Sequence, residues 1–365
     1  MLLQALSVSG YRSIRQVHVP LQPINVIVGP NGSGKTNLYR AMYILHEAAS
    51  GRLAQTLAAE GGMQSVLWAG ARRKGPVRLA VGVQFEQYSY RLECGLPPPS
   101  QSYFTLDPEL KEEQIHLYEG GRKIQLLGRA NRSVWARDAE GKRAEYPVEL
   151  SPSESVLAEI REPHRFPELS MVRQELLRWR FYHHFRTDAD SPIRQPQVGV
   201  RTPVLSHDGR DLAAAIETIL EIGRGDLFGQ SLGDAFPGTA VQITHQPQFA
   251  LSMRFPGFQR EFEAPELSDG TLQYLCLLTA LLSPRPPALM ALNEPETSIH
   301  PDLLPALARL IVDASADTQL WITTHSTRLA DAICSDSGCL PIQLEKVDGE
   351  TRIQGQSALE RAMTV

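Results

Sequence analysis

The chain has 365 residues, of which 21% are charged and 42% hydrophobic, with a formal net charge of −5. That is the balance of an ordinary globular protein, long enough for one large domain or two, and without the global positive charge that would hold nucleic acid non-specifically; any such contact must be local. Cys94, Cys276, Cys334 and Cys339 show no C-x-x-C spacing, which suits thiols in a reducing cytoplasm and leaves a Cys334–Cys339 bond or metal pair as the lesser alternative.

Met1 to Val19 alternates apolar and polar residues like a strand and lacks the uncharged apolar core of a signal peptide. Ile24 to Val28 reads as a buried strand, and Asn37 to Ala48 has helical spacing at Leu38, Met42, Leu45 and Ala49. Between them Gly29-Pro30-Asn31-Gly32-Ser33-Gly34-Lys35-Thr36 fits G-x-x-x-x-G-K-[ST], the phosphate-binding P-loop. In a strand–turn–helix context, backbone N–H groups and the helix dipole converge on one anion, so the segment implies a nucleoside triphosphate. Lys35 would reach the β- and γ-phosphates, and the Thr36 hydroxyl would hold Mg²⁺.

Further strands are expected around Val77 to Val83 and Tyr88 to Cys94, and Leu96-Pro97-Pro98-Pro99-Ser100 marks a boundary. Residues 100–240 are mixed in pattern, with helices expected at Leu157 to Ile160, Val172 to Trp179 and Leu212 to Ile222. Eight arginines lie between Arg161 and Arg201, with Trp179, Phe181, Tyr182 and Phe185 among them. One reading is phosphate contact and base stacking; the favoured one is an amphipathic helix whose aromatics are core and whose arginines pair with Glu159, Glu162, Glu168 and Glu175. Arg129, Arg132, Arg137, Lys142 and Arg143 form a basic run that suits a solvated hairpin better than a DNA groove.

Alternation returns over residues 240–264. Leu267-Ser268-Asp269-Gly270-Thr271 then opens the apolar helix Leu272 to Leu282, and Ser268 with the Gly270 amide would present a second anion-binding helix N-terminus. Ser283-Pro284-Arg285-Pro286-Pro287 breaks the longest apolar stretch, so no transmembrane helix is expected. Leu289 to Leu292 reads as a central parallel strand ending in Asn293-Glu294-Pro295-Glu296. A carboxylate there sits at the ligand-binding edge of a sheet, where Glu294 could polarise the water that attacks a γ-phosphate. Leu320 to Thr324 reads as another buried strand, tipped by His325-Ser326, and Leu340 to Ile353 as a hairpin turning at Asp348-Gly349.

Together, Gly10-Tyr11-Arg12-Ser13-Ile14, the P-loop with Asn37-Leu38, Leu267 to Thr271, Asn293 to Pro301 and Thr324-His325-Ser326 resemble the RecF/SMC-like ABC-type ATPases, often called AAA-family ATPases, which include the ATPase half of OLD-type proteins. The likeness covers about residues 1–95 and 260–335. It implies an α/β P-loop fold of the ABC/SMC-head type, a mixed sheet flanked by helices, with an α+β insertion between P-loop and signature. The expected lobes are 1–99, an inserted segment 100–240, and 241–365. It further implies that Gly29 to Asn37 holds ATP, that Leu267 to Thr271 is the signature motif, and that two copies pair head to tail. Ser268 and Gly270 of one copy would then meet the γ-phosphate held by the other. Asn293-Glu294 resembles Walker B, with Asn293 where an aspartate is usual; Thr36 and Asn293 would position Mg²⁺ and Glu294 would activate water. Thr297 to His300 resembles the loop crossing the dimer interface. His325 resembles the switch histidine, and Arg12 or Tyr11 would touch base or sugar.

These features point to a slow cytoplasmic ATPase serving DNA repair or phage defence, acting on DNA or through a separate nuclease or effector. The chain runs only about 40 residues past His325, too short for an appended nuclease domain, so nuclease activity is expected from another chain. Two other readings stand beside it. One is a non-hydrolysing ATP-gated clamp in which Asn293 marks lost turnover. The other is a transporter ATP-binding subunit, disfavoured because about 230 residues separate P-loop and signature where transporters have about 100.

Overall fold

The N-terminal alternation is realised as two paired strands. The computed structural model describes residues 1–71, 77–99, 101, 103–145, 150–245 and 247–363; Ser100, at the end of the proline-rich boundary, lies outside them. The chain forms two compact units that interleave along the sequence. The first takes residues 1–22, 29–179 and 342–365, and the second takes 23–28 and 180–341.

Strands are numbered along the whole chain. In the first unit β1 (Leu3–Tyr11), β2 (Ile14–Pro20), β4 (Leu79–Phe85), β5 (Tyr88–Gly95), β6 (Glu109–Glu119), β7 (Arg122–Ala130), β8 (Ser133–Arg137) and β9 (Arg143–Glu145) form an antiparallel sheet of order 2-1-4-5-6-7-8-9. The P-loop helix, Lys35–Ser50, packs its buried Leu38, Met42 and Leu45 face against β1 and β4. Helices Val156–Glu159 and Pro167–Leu177 pack against it too, and His46 Nδ1 lies 2.9 Å from the Leu176 carbonyl. The C-terminal hairpin β16 (Ile342–Val347) and β17 (Glu350–Ile353) packs on β2 and turns at Asp348 and Gly349, with φ of 51° and 81°. Two successive positive φ values are what a two-residue hairpin turn of type I′ needs.

In the second unit β3 (Ile24–Val28), β10 (Arg180–Tyr182), β14 (Leu289–Asn293) and β15 (Gln319–Thr324) form parallel pairs in the order 10-14-15-3. Burial on both faces explains why β14 is apolar from Leu289 to Leu292 and β15 from Leu320 to Ile322. Helices Leu212–Ile222, Asp269–Leu281, Leu304–Ala314 and Thr327–Ser337 share one apolar core with this sheet. A smaller antiparallel sheet, β11 (Ala240–Thr244), β12 (Ala250–Arg254) and β13 (Phe262–Glu263), precedes the signature segment.

Trp179, Phe181, Tyr182 and Phe185 are all buried, and Tyr182 donates to the Leu205 carbonyl. These rings are core, as the favoured reading had it, although Arg180–Tyr182 is a strand rather than part of a helix. Arg129 of the basic run is buried and donates to the carbonyls of Ser151 and Glu154. Cys94 and Cys276 are buried, whereas the half-buried Cys334 and Cys339 bring their thiol sulfurs to 3.0 Å. No helix among the described residues is long and apolar enough to cross a membrane.

Candidate functional site

The P-loop belongs to the first unit. Its rim, Pro30, Asn31 and Gly32, is exposed, while Ser33 and Lys35 are buried and Thr36 and Asn37 half-buried. Gly34 caps the helix with φ 108°, and a Cβ there would fall 2.2 Å from Thr351 Oγ1; only glycine suits both the dihedral and the space. Lys35 Nζ donates to the carbonyls of Gly29 (2.7 Å) and Pro30 (3.3 Å), which holds the ammonium over the loop. Ser33 Oγ is buried without a hydrogen-bond partner among the described residues. With the first amides of the helix, Lys35 and Thr36, these groups make a donor-rich loop suited to a polyphosphate.

A chain of neutral hydrogen bonds holds this loop from behind. Asn37 Nδ2 donates to Ser13 Oγ (2.8 Å), Ser13 Oγ lies 2.8 Å from Thr351 Oγ1, and Thr351 Oγ1 donates to the Ser33 carbonyl (2.8 Å). Since each hydroxyl has one proton, Ser13 must donate to Thr351, and the order Asn37, Ser13, Thr351, Ser33 is directional. Thr351 is fully buried, and its own N–H bonds the Ser13 carbonyl at 2.7 Å. Arg12 has φ 48° and pairs with Glu60 at 2.6 Å, a carboxylate it shares with Arg40 and the Tyr11 hydroxyl. Burial, then Glu60, pushes the Tyr11 phenol far above its ordinary value. The base or sugar role expected of Arg12 would therefore compete with an ion pair.

In the second unit the parallel register brings the ends of β14, β15 and β3 to one sheet edge: Asn293 aligns with Thr323, and Thr324 with Val28. Asn293 Oδ1 accepts from Thr323 Oγ1 at 2.7 Å. Glu294 follows with φ 49°, its N–H on the Thr323 carbonyl (2.7 Å) and its own carbonyl accepting from Thr297. A glutamate held at positive φ is a strained position, of the kind that collects at functional sites. Its side chain is partly exposed, and His325 Nδ1 lies 3.8 Å from Glu294 and 3.5 Å from Glu296.

Glu296 has a larger structural part than its motif position suggests. It is buried and accepts from the Thr324 hydroxyl and from the N–H groups of His325 (3.1 Å) and Ser326 (3.2 Å). A carboxylate at the start of helix Thr327–Ser337 is favoured by the helix dipole, and here it fixes the backbone that carries His325.

The signature segment lies in the same unit. Ser268 caps the helix, accepting from the Thr271 N–H at 3.2 Å, and remains exposed. A Cβ on Gly270 would meet the Ser298 carbonyl at 2.5 Å, so glycine lets the segment Thr297 to His300 pack on the helix start; Ser298 itself has φ 65°. Arg194 contacts this segment too, a link that nothing local in the sequence signals.

A P-loop feeding a helix N-terminus, parallel strands ending in Asn-Glu and Thr-His, and a serine-capped signature helix define an ATPase head of the RecF/SMC type. The chain belongs to the family described as "AAA domain, putative AbiEii toxin, Type IV TA system", which matches residues 128–331, more than half of its 365 residues. Residues 1–78 match a second family, the AAA ATPase domain. The DNA replication and repair protein RecF of Limosilactobacillus fermentum is 40% identical over 83 residues, 22% of this chain and 21% of RecF. The OLD nuclease of Thermus scotoductus is 44% identical over 41 residues, 11% of this chain and 8% of that protein. The chain thus aligns with about a fifth or less of these relatives. Among solved structures it resembles an Smc head bound to the C-terminal winged-helix domain of ScpA, with a TM-score of 0.56, 15% identity and 98% of each chain covered. It also resembles the Pyrococcus furiosus Smc head bound to the ScpA C-terminal domain, with a TM-score of 0.53, 14% identity and 99% and 97% covered. At such identity the likeness shows the fold.

Proposed function

We propose that the chain is a Mg²⁺-dependent ATPase whose copies pair head to tail around two ATP molecules, serving DNA repair or defence against phage with DNA itself or a partner effector. The observation that carries the reading is the sheet edge where Asn293, Glu294 and His325 emerge in register with the strand that runs into the P-loop. The names of the RecF and OLD relatives support the DNA-related part.

Lys35, with the loop and helix amides, neutralises and orients the triphosphate. Glu294 orients and deprotonates water, and His325 follows the γ-phosphate from a backbone held by Glu296. Ser268 completes the partner copy's site. Mg²⁺, held by the Thr36 hydroxyl and Asn293, would offset charge on the β- and γ-phosphates. Both are oxygen donors, as this cation requires, but neutral ones, and Asn293 Oδ1 already accepts from Thr323. That bond favours slow turnover, and it is also the observation behind a second reading, an ATP-gated clamp that does not hydrolyse.

Steady-state ATP hydrolysis with Mg²⁺, with and without duplex DNA, tests both readings. Glu294→Gln should lower kcat by about 100-fold or more and prolong an ATP-bound dimer. Wild-type protein that binds ATP tightly without turnover would select the clamp.

A further inference from the structure

Arg194 ends a short 3₁₀ turn, Pro192–Arg194, more than 70 residues before the signature motif, yet its guanidinium is built into that motif. The side chain is only 8% exposed. Nε donates to the Thr187 carbonyl (2.8 Å), which anchors the arginine to its own segment. Nη1 faces the carbonyls of Ala264 (3.0 Å), Pro265 (3.1 Å) and Leu267 (2.7 Å), and Nη2 donates to Asp269 Oδ1 at 2.7 Å. The contacts thus bracket Ser268, with the carbonyl before it and the carboxylate after it both fixed by one planar group. Ser268 itself stays outside the clamp and caps the helix.

The charge matters as much as the geometry. Asp269 is the first residue of the signature helix and is 59% exposed. A carboxylate there stabilises the helix it starts but repels any second anion brought to the same N-terminus. A buried guanidinium on that carboxylate cancels the repulsion without itself engaging the serine, whose hydroxyl stays on Thr271.

We propose that Arg194 is a positioning residue of the signature loop: it fixes the backbone on both sides of Ser268 and neutralises Asp269, so that this helix start can receive the triphosphate held by a second copy of the chain. The inference rests on the head-to-tail pairing proposed above.

The full chain is tested with Mg²⁺-ATP, measuring KM, kcat and ATP-dependent dimerisation by sedimentation, with folding checked by thermal melting. Ser268→Ala is the control for the pairing itself. In Arg194→Met, KM should stay within about threefold while kcat and the dimer association constant fall by about tenfold or more. Adding Asp269→Asn to Arg194→Met should recover severalfold of the lost kcat by removing the uncompensated carboxylate, a recovery that a purely structural arginine would not show. Should Arg194→Met fail to fold, Arg194→Lys, which keeps the charge but loses the planar fork, should fall between wild type and Ser268→Ala. Wild-type dimerisation in folded Arg194→Met, wild-type turnover in Arg194→Lys, or no recovery in the double variant would each overturn the assignment. A wild-type protein that never dimerises with ATP, with Ser268→Ala equally silent, would instead sink the pairing on which it rests.

Discussion

The P-loop and the signature loop are both glycine-containing turns that open a helix, yet the fold holds them by different physics. The P-loop is held by neutral hydrogen bonds running through Asn37, Ser13 and Thr351 to the Ser33 carbonyl. The signature loop is held by a buried guanidinium on three carbonyls and one carboxylate. A loop with its own lysine needs no further charge, and neutral donors and acceptors avoid an acid beside the phosphates. A helix that begins with an exposed aspartate needs a counter-charge if it is to receive an anion as proposed. Their glycines differ in the same spirit: Gly34 makes room for a side chain, Gly270 for a backbone carbonyl.

The largest effect should come from Gly34→Ala, whose Cβ would strike buried Thr351 at a dihedral that alanine resists. A cost of about 3 kcal/mol or more is expected, read as loss of ATP binding by calorimetry. Adding Thr351→Ala should restore only part, because the backbone strain remains; full restoration would mean that the dihedral is immaterial. Gly270→Ala should cost about 2 kcal/mol in thermal unfolding, and trimming Ser298 to alanine should give nothing back, since the clash is with its carbonyl. Recovery there would erase the contrast between the two glycines. Thr351→Val keeps shape but breaks the relay, which should weaken ATP binding by about tenfold, while Thr351→Ser retains it. An unchanged Thr351→Val protein would show that the relay does not tune the loop. Glu296→Gln should have the smallest effect, about 1 kcal/mol in melting experiments, because an amide can still accept from the N–H groups of His325 and Ser326 without answering the helix dipole.

What was legible in the chain follows from how local each signal is. The P-loop, its flanking strand and helix, the strands before Asn293 and His325, and the hairpin at Asp348-Gly349 are short patterns with their own turn chemistry. Strands β6 and β7 were hidden because Glu, Lys, Gln and Arg fill their outward positions and part of their inward ones, with Glu113 fully buried beneath Tyr90 and Ser155. Arg180–Tyr182 pairs with β14 from over 100 residues away, so aromatic content alone could not separate it from a helix. Arg194 and Thr351 act at similar or greater separation and carry no motif. Asp269 was the available hint: an acid where an anion is expected calls for a buried partner.

The interleaving of the units has a consequence for biosynthesis. Strand β3 pairs with residues made nearly 300 positions later, Leu320 to Thr324, and the P-loop receives Thr351 later still. During vectorial synthesis the antiparallel sheet β1 to β9 can pair early, while Ile24–Val28 waits as an apolar segment without its neighbour. The support of the P-loop is therefore complete only once Thr351 has been made, so a nascent or truncated chain that stops short of it carries the most recognisable motif of the protein without that support.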